Sequence, residues 1–310
     1  MTATAEPAHR GADSAQPFSH IHPEFREVMS CPDEQRLAFL DRPRWIGYER
    51  AQLALDTMQA LMNKPRQPRM PNLLIVGEPN NGKTTLVQRF KTLCGEGYVN
   101  ENADPVKPVI VAEAPPSADE KGLYISILER FWAPYRATAP AAQLRYQVVH
   151  QLRECHVRIL LIDEFHSLLT GSALKQREVM NAIKLLCNEV GIPIVGVGTR
   201  DAVRVLHTDP QHASRFDVFA LPLWELDPSF QKLLAGFERV LPLKKSSGLA
   251  TPDLATMAHA ICGGNLGDLH RLLSACARVA ITTGEERITE KILRSKAWLQ
   301  PTKGIREVMA

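Results

Sequence analysis

Hydrophobic and polar positions follow two rhythms along this chain, and the rhythm changes near residue 228. Before that point, short apolar runs are separated by stretches with helical spacing. Asn72–Val76, Pro108–Ala114, Arg158–Ile162, Ile192–Gly198 and Val218–Pro222 have the length and β-branched content of buried strands. Between them, Thr85–Phe90, Lys121–Phe131, Ala141–Cys155 and Gln176–Val190 repeat apolar residues every three or four positions, as amphipathic helices do. Upstream, Leu53, Leu55, Met58 and Leu61 keep the same spacing within Ala51–Met62. Strands alternating with helices predict an α/β fold, a five-stranded parallel sheet with helices on both faces.

From Pro228 onward no strand pattern survives. Phe230–Leu241, Pro252–Cys262, Leu266–Thr282 and Thr289–Trp298 read as helices, with Gly263-Gly264 and Gly284 as punctuation and Thr289 as an N-cap. Residues 228–310 therefore form a helical domain of about 80 residues behind an α/β domain at 41–227. Residues 1–20 are rich in Ala, Ser, Pro and Gly and read as disordered. Short helices follow between His22 and Arg42, so residues 1–40 make an N-terminal extension.

Composition narrows the picture. A net charge of +3 on 310 residues does not announce nucleic acid, and it leaves room for a local basic patch. The six cysteines are scattered without a C-x-x-C pair, which argues against a metal site or disulfide framework and for a reducing compartment. No apolar run reaches the roughly 18 residues a membrane span needs. The start lacks the basic-then-apolar order of a signal peptide. The expectation is a soluble, cytoplasmic protein with no membrane part.

The chemistry sits at the strand ends. Gly77-Glu-Pro-Asn80-Asn81-Gly82-Lys83-Thr84-Thr85 has the spacing G-x-x-x-x-G-K-T, entered from a strand and left through a helix. Glycines at 77 and 82 let backbone N–H groups surround phosphate oxygens, and the helix adds its positive end. Lys83 can reach the β- and γ-phosphates, and the Thr84 hydroxyl can ligate Mg²⁺. This stretch predicts a site for a nucleoside triphosphate. Ile159-Leu-Leu-Ile-Asp163-Glu164 then delivers two carboxylates at the next strand end: Asp163 to hold Mg²⁺ and Glu164 as general base toward water.

Other positions keep two readings. Thr199, closing Val195-Gly-Val-Gly-Thr199, either touches the γ-phosphate and its water or caps the following helix. Arg215, between the last two strands, is either a finger for a neighbouring subunit's γ-phosphate or a surface arginine. Trp45 and Tyr48 either wall an adenine pocket or pack in the core. His270 and Arg271, after Gly263-Gly-Asn-Leu-Gly-Asp268, either swing onto the nucleotide or form a surface pair.

Taken together, these features resemble an AAA+ P-loop ATPase with a C-terminal helical lid. More narrowly, Asn80-Asn-Gly-Lys-Thr84, Ile162-Asp-Glu-Phe-His166, Gly196-Val-Gly-Thr-Arg200 and Trp45-Ile-Gly-Tyr-Glu-Arg50 resemble the TniB-type transposition ATPases, relatives of the Mu B and Tns C proteins. The resemblance implies ATP and Mg²⁺ as cofactors and a homo-oligomer, ring or helical filament, on duplex DNA. It also implies target-site selection and a DDE transposase partner, with a TniQ-like protein as a further one. Lys121, Lys175 and Arg177 are the candidate DNA contacts, each with the alternative of a solvated surface charge. Where related initiator-type ATPases carry a lid arginine this chain has His270, with Arg271 next, which leaves the sensor position open. Two rivals share the nucleotide motifs, a replication initiator or loader and a nucleotide-gated scaffold that never touches DNA.

Overall fold

The computed structural model describes residues 17–67, 69–207 and 213–297. In chain order its first elements are α1 (Asp33–Leu40), α2 (Glu49–Met62), β1 (Asn72–Gly77), α3 (Lys83–Cys94), β2 (Tyr98–Val99), β3 (Pro105–Val106) and β4 (Val109–Glu113). Next come α4 (Glu120–Glu129), α5 (Ala141–Glu154), β5 (Ile159–Asp163), α6 (Ala173–Val190), β6 (Ile194–Gly198), α7 (Val203–Leu206) and β7 (Phe216–Leu221). After them the described residues form α8 (Pro228–Glu238), α9 (Pro252–Cys262), α10 (Leu266–Thr282) and α11 (Glu290–Ser295). No described helix is long and apolar enough to cross a membrane.

The main sheet runs β4-β5-β6-β1-β7, and every pairing in it is parallel. Period-two alternation sends neighbouring side chains to opposite faces. Leu74, Val76, Ile110, Ala112, Leu160 and Ile162 enter one apolar cluster with α4, α5 and α6. Leu73, Ile75, Val109, Ile159, Leu161, Val195 and Val197 enter the other with α2 and α3. Both faces being covered explains why these strands read as continuous apolar runs. The small antiparallel pair β2–β3 carried no signal in the sequence, because two-residue strands have no period to detect.

Several helix starts are capped by side chains. Asp119 accepts from the N–H groups of Lys121 and Gly122 ahead of α4, and Ser172 accepts from Lys175 N ahead of α6. Asp227 and Thr289 do the same for α8 and α11. The Ser172 cap lets α6 begin at Ala173, three residues ahead of the apolar pattern that announced it.

The described residues fall into two compact units, 45–225 with 262–269, and 17–44 with 226–261 and 270–297. Residues 17–44, part of the expected N-terminal extension, group with the helical unit. Arg36, fully buried, is the reason: it donates to Pro242 O (2.7 and 3.2 Å), Asp33 Oδ1 (3.0 Å) and Glu286 Oε1 (2.8 Å). The disorder expected over residues 1–20 lies outside the described residues through position 16 and is corrected at 17–20, which form a turn. Ile21 N donates to Phe18 O, and His20 Nε2 stands 2.9 Å from Leu243 O. The last expected helix, to Trp298, is described through Ser295, and Trp298 itself lies outside the described residues.

Candidate functional site

Within the α/β unit, β1 delivers Gly77 to the carboxyl end of the sheet, where open α/β sheets place their ligands. The chain then turns through Asn80 (φ 59°) and Gly82 (φ 80°) into the first turn of α3. Gly82 needs the left-handed region, which favours glycine. Gly77 does not; there a Cβ would meet Leu221 O at 2.9 Å, so its missing side chain lets β7 approach β1. The expectation that Gly77 serves the turn is corrected accordingly.

Pro79, Asn80, Asn81, Gly82, Lys83, Thr84 and Thr85 line a cleft of about 340 Å³ together with Glu164, His166 and Thr199. Strand register explains why distant residues meet here. β6 runs parallel beside β1 and β5 parallel beside β6, so Asp163, Glu164 and Thr199 emerge at the same sheet end as the glycine-rich loop. Thr84 Oγ1 donates to Asp163 Oδ2 at 3.1 Å. Asp163 Oδ1 accepts from Glu164 N at 2.8 Å, across a left-handed backbone turn at Glu164 (φ 55°). Lys83 Nζ lies back along the loop, donating to Gly77 O (3.0 Å) and Glu78 O (2.8 Å). Burial pulls the Lys83 ammonium below the ordinary lysine value, against the opposing pull of Glu164, Asp163 and Glu78.

The loop is fastened from two sides. Arg200 Nε, one residue past Thr199, pairs with Glu78 Oε1 at 3.2 Å. From the other side comes the turn before α10. Asn265 Nδ2 donates to Pro79 O (2.9 Å), Gly267 N to Asn80 O (2.9 Å) and Leu266 N to Asn81 Oδ1 (3.2 Å). Asn80 Nδ2 donates to the buried Asp268 carboxylate (3.1 Å). Asn81 is itself buried, and its Nδ2 donates to Leu221 O and Pro222 O. A Cβ at Gly267 would fall 2.2 Å from Asn80 Oδ1, so this approach requires glycine. Spacing foretold the loop's glycines and lysine; it gave no sign that Asn80 and Asn81 hold a turn far along the chain.

A hydroxyl, two carboxylates, an ammonium and a row of backbone N–H groups around one cleft suit a polyphosphate. Residues 36–226 match the family model described as Bacterial TniB protein. The chain belongs to the TniB family. No curated protein matches it in sequence. Among solved structures it is similar to Cdc6p from Pyrobaculum aerophilum at 17% identity and TM-score 0.59, over 86% of this chain and 72% of that one. It is also similar to the Aeropyrum pernix ORC2 protein, solved as ADPNP–ADP complexes, at 16% identity and TM-score 0.57, over 84% and 70%. The Aeropyrum pernix ORC1 protein in complex with DNA matches at 16% and 0.54, over 84% and 68%. At such identities the likeness is one of fold, and that fold is the AAA+ type.

Several expected site residues of this TniB-family chain stand outside the cleft lining. Trp45 and Tyr48 pack against the α2–α3 side of the sheet, with Tyr48 edge-on to Trp224 at 5.0 Å between ring centroids. Burial pushes the Tyr48 phenol up to about 12. Arg215 lies at the far end of the sheet. Its carbonyl accepts from Asn72 N, and Phe216 pairs with the first residue of β1, while the phosphate loop leaves β1 at Gly77. Five residues of strand at about 3.3 Å each separate the two ends. Its guanidinium donates to Asn188 Oδ1 at 2.8 Å. Arg271 is half-buried within the helical unit.

Lys121, Lys175 and Arg177 come from the starts of α4 and α6, joined where Ala118 N donates to Thr170 O (2.8 Å). Lys175 Nζ pairs with Glu178 at 3.0 Å, which with the nearby Asp119 and Glu120 holds its ammonium above the ordinary lysine value. Charges of both signs alternate here, so this end of the unit is not a uniformly basic stripe. Arg177 is exposed.

Proposed function

We propose that this chain is an ATP-hydrolysing switch that assembles on duplex DNA, selects a transposition target and recruits or stimulates a DDE transposase. The observation that carries the reading is the Thr84–Asp163 contact, which joins the phosphate loop and the Asp-Glu strand end in one cleft beside Glu164 and Thr199. The TniB family supplies the transposition context. Proteins of the same fold have been seen with ADPNP and ADP, and with DNA, in keeping with both halves of the proposal.

Phosphate oxygens take the N–H groups of residues 80–84, and Lys83 exchanges its two carbonyl partners for the β- and γ-phosphates. Thr84 and Asp163 offer hard oxygen donors 3.1 Å apart, the donor set Mg²⁺ prefers. Held there, Mg²⁺ would offset negative charge on the phosphate oxygens. Glu164 accepts a proton as water attacks the γ-phosphorus. The bond to the bridging oxygen breaks, releasing ADP and inorganic phosphate. Thr199 holds the γ-phosphate side of the cleft.

Arg215 completes the site from outside. At the wrong end of its own sheet, it serves a neighbouring copy's γ-phosphate, which makes turnover depend on a ring or filament of subunits. Lys121, Lys175 and Arg177 contact the duplex backbone without reading sequence, and a TniQ-like protein is a further partner of the assembly.

Pelleting with duplex DNA tests the proposal, comparing a non-hydrolysable ATP analogue, ADP and no nucleotide at two salt concentrations. Retention with the analogue alone, weakened by salt, is expected. Nucleotide binding without DNA retention in any state would move the function to a scaffold that never touches DNA.

A further inference from the structure

Glu164 does not stand alone in the cleft. Its left-handed backbone opens a short 3₁₀ turn, Phe165–Leu169, in which Ser167 N donates to Glu164 O at 2.8 Å. Phe165 anchors that turn. Its ring is fully buried, and a Cβ on Gly196 would meet it at 2.8 Å. His166 follows, pressed against the end of β6. A Cβ on Gly198 would lie 3.1 Å from His166 N and 3.4 Å from His166 Nδ1. Glycines at 196 and 198 therefore make room for Phe165 and His166 in turn, and they fix the imidazole between β6 and the cleft.

The two ring nitrogens have unequal surroundings. Nε2 stands 3.3 Å from Glu164 Oε2. Nδ1 is buried and has no hydrogen-bond partner among the described residues. A buried polar atom left unpaired is a cost that asks for a return. On the other side of the ring Nε2 is within ion-pair distance of the Glu164 carboxylate. A carboxylate only accepts, so this contact is favourable with a proton on Nε2.

We propose that His166 is the positioning residue for Glu164: it holds the carboxylate toward the cleft and ties its pose to the end of β6, one residue before Thr199. This rests on the reading of Glu164 as the base that accepts the water proton. His166 itself neither donates nor accepts the reacting proton.

The test compares wild type with His166→Ala, His166→Gln and Glu164→Gln, and with the Glu164→Gln/His166→Ala double variant. Readouts are steady-state ATP hydrolysis, affinity for a fluorescent ATP analogue, and the melting temperature. In His166→Ala, kcat falls on the order of 10- to 100-fold, the loss expected of a misplaced reacting group. Affinity for the analogue stays within about threefold, because ground-state binding is untouched. His166→Gln, whose amide N–H has similar reach, recovers most of that loss. In the Glu164→Gln background the alanine change has no further effect, which a merely structural histidine would not show. A further variant, His166→Leu, is close to histidine in volume and carries no donor; it shows the same loss of kcat at the melting temperature of wild type, which covers a folding defect in the alanine variant.

A His166→Ala enzyme as fast as wild type overturns the proposal and leaves the ATPase reading standing. So does a loss that persists undiminished without the Glu164 carboxylate. A wild type that binds ATP and never cleaves it overturns the reading of Glu164, and this proposal with it.

Discussion

Thr84 Oγ1 donates a hydrogen bond to Asp163 Oδ2 at 3.1 Å, across 79 residues of sequence. The first turn of α3 and the end of β5 are thereby joined. The site is organised by the sheet: β1, β5 and β6 deliver their last residues to one edge, and the helices on both faces hold them there. Pre-set geometry of this kind is where enzymes gain most from positioning.

Lys83→Ala removes the one ammonium on the phosphate loop. A charge-assisted hydrogen bond contributes about 1.5–3 kcal/mol, so affinity for ATP falls roughly 10- to 100-fold. The fold persists, since among the described residues Lys83 bonds only to carbonyls of its own loop. Titration with a fluorescent nucleotide and a melting curve check both halves of the statement.

Arg215→Ala leaves nucleotide affinity near wild type, because Arg215 lies at the opposite sheet end from the cleft. It abolishes the rise of specific ATPase activity with protein concentration, by 10³-fold or so if the finger acts in full. A concentration series with and without duplex DNA decides the matter; an unaltered dependence removes Arg215 from the role.

Gly267→Ala puts a Cβ 2.2 Å from Asn80 Oδ1, inside any allowed contact. Asn80 or the turn at 265–268 has to move, at the 1–3 kcal/mol typical of overpacking. The phosphate loop loses its pose and nucleotide affinity drops several-fold. A Ser at the same position relieves nothing, as it carries the same Cβ. Wild-type affinity in both variants would show that the fastening at Asn80 has no bearing on the site.

Arg36→Ala strands Glu286 in the helical unit. The Glu286 side chain is 12% exposed and Arg36 fully buried, and breaking such a pair typically costs about 3–5 kcal/mol. Burial raises the Glu286 carboxyl, but hydrogen bonds from Arg36 and Lys244 N together outweigh it and hold the group below its ordinary 4.5. A folded-state pKa below the unfolded one means stability that is complete above about 4.5 and is lost as pH falls through the folded value. Wild-type unfolding followed from pH 6 downward shows this loss, and Glu286→Gln flattens it.

Much of this was legible in the sequence because it is local. The five strands and their helices are written as apolar runs and 3.6-residue spacing, and they fall within a few residues of the observed elements. Val218–Pro222, for example, is observed as Phe216–Leu221. The phosphate loop and the Asp-Glu pair are likewise fixed by short spacings. What escaped is long-range or has no period. The fastening of Asn80 and Asn81 to residues 265–268 joins positions nearly 190 apart through hydrogen bonds that no residue type announces. Nothing in the spacing around Arg36 announces that Glu286 and Pro242, more than 200 residues on, surround it. Gly196 and Gly198 read as strand glycines until Phe165 and His166 are seen to need the space.

The central claim is that one cleft binds ATP and cleaves it through Glu164. Single-turnover hydrolysis by wild type and Glu164→Gln, at saturating ATP with Mg²⁺ and duplex DNA, tests it most directly. The account predicts equal binding of nucleotide and a cleavage rate lower by about 10²- to 10⁴-fold in the variant. Equal cleavage rates, or no cleavage by the wild type under any of these conditions, would contradict it.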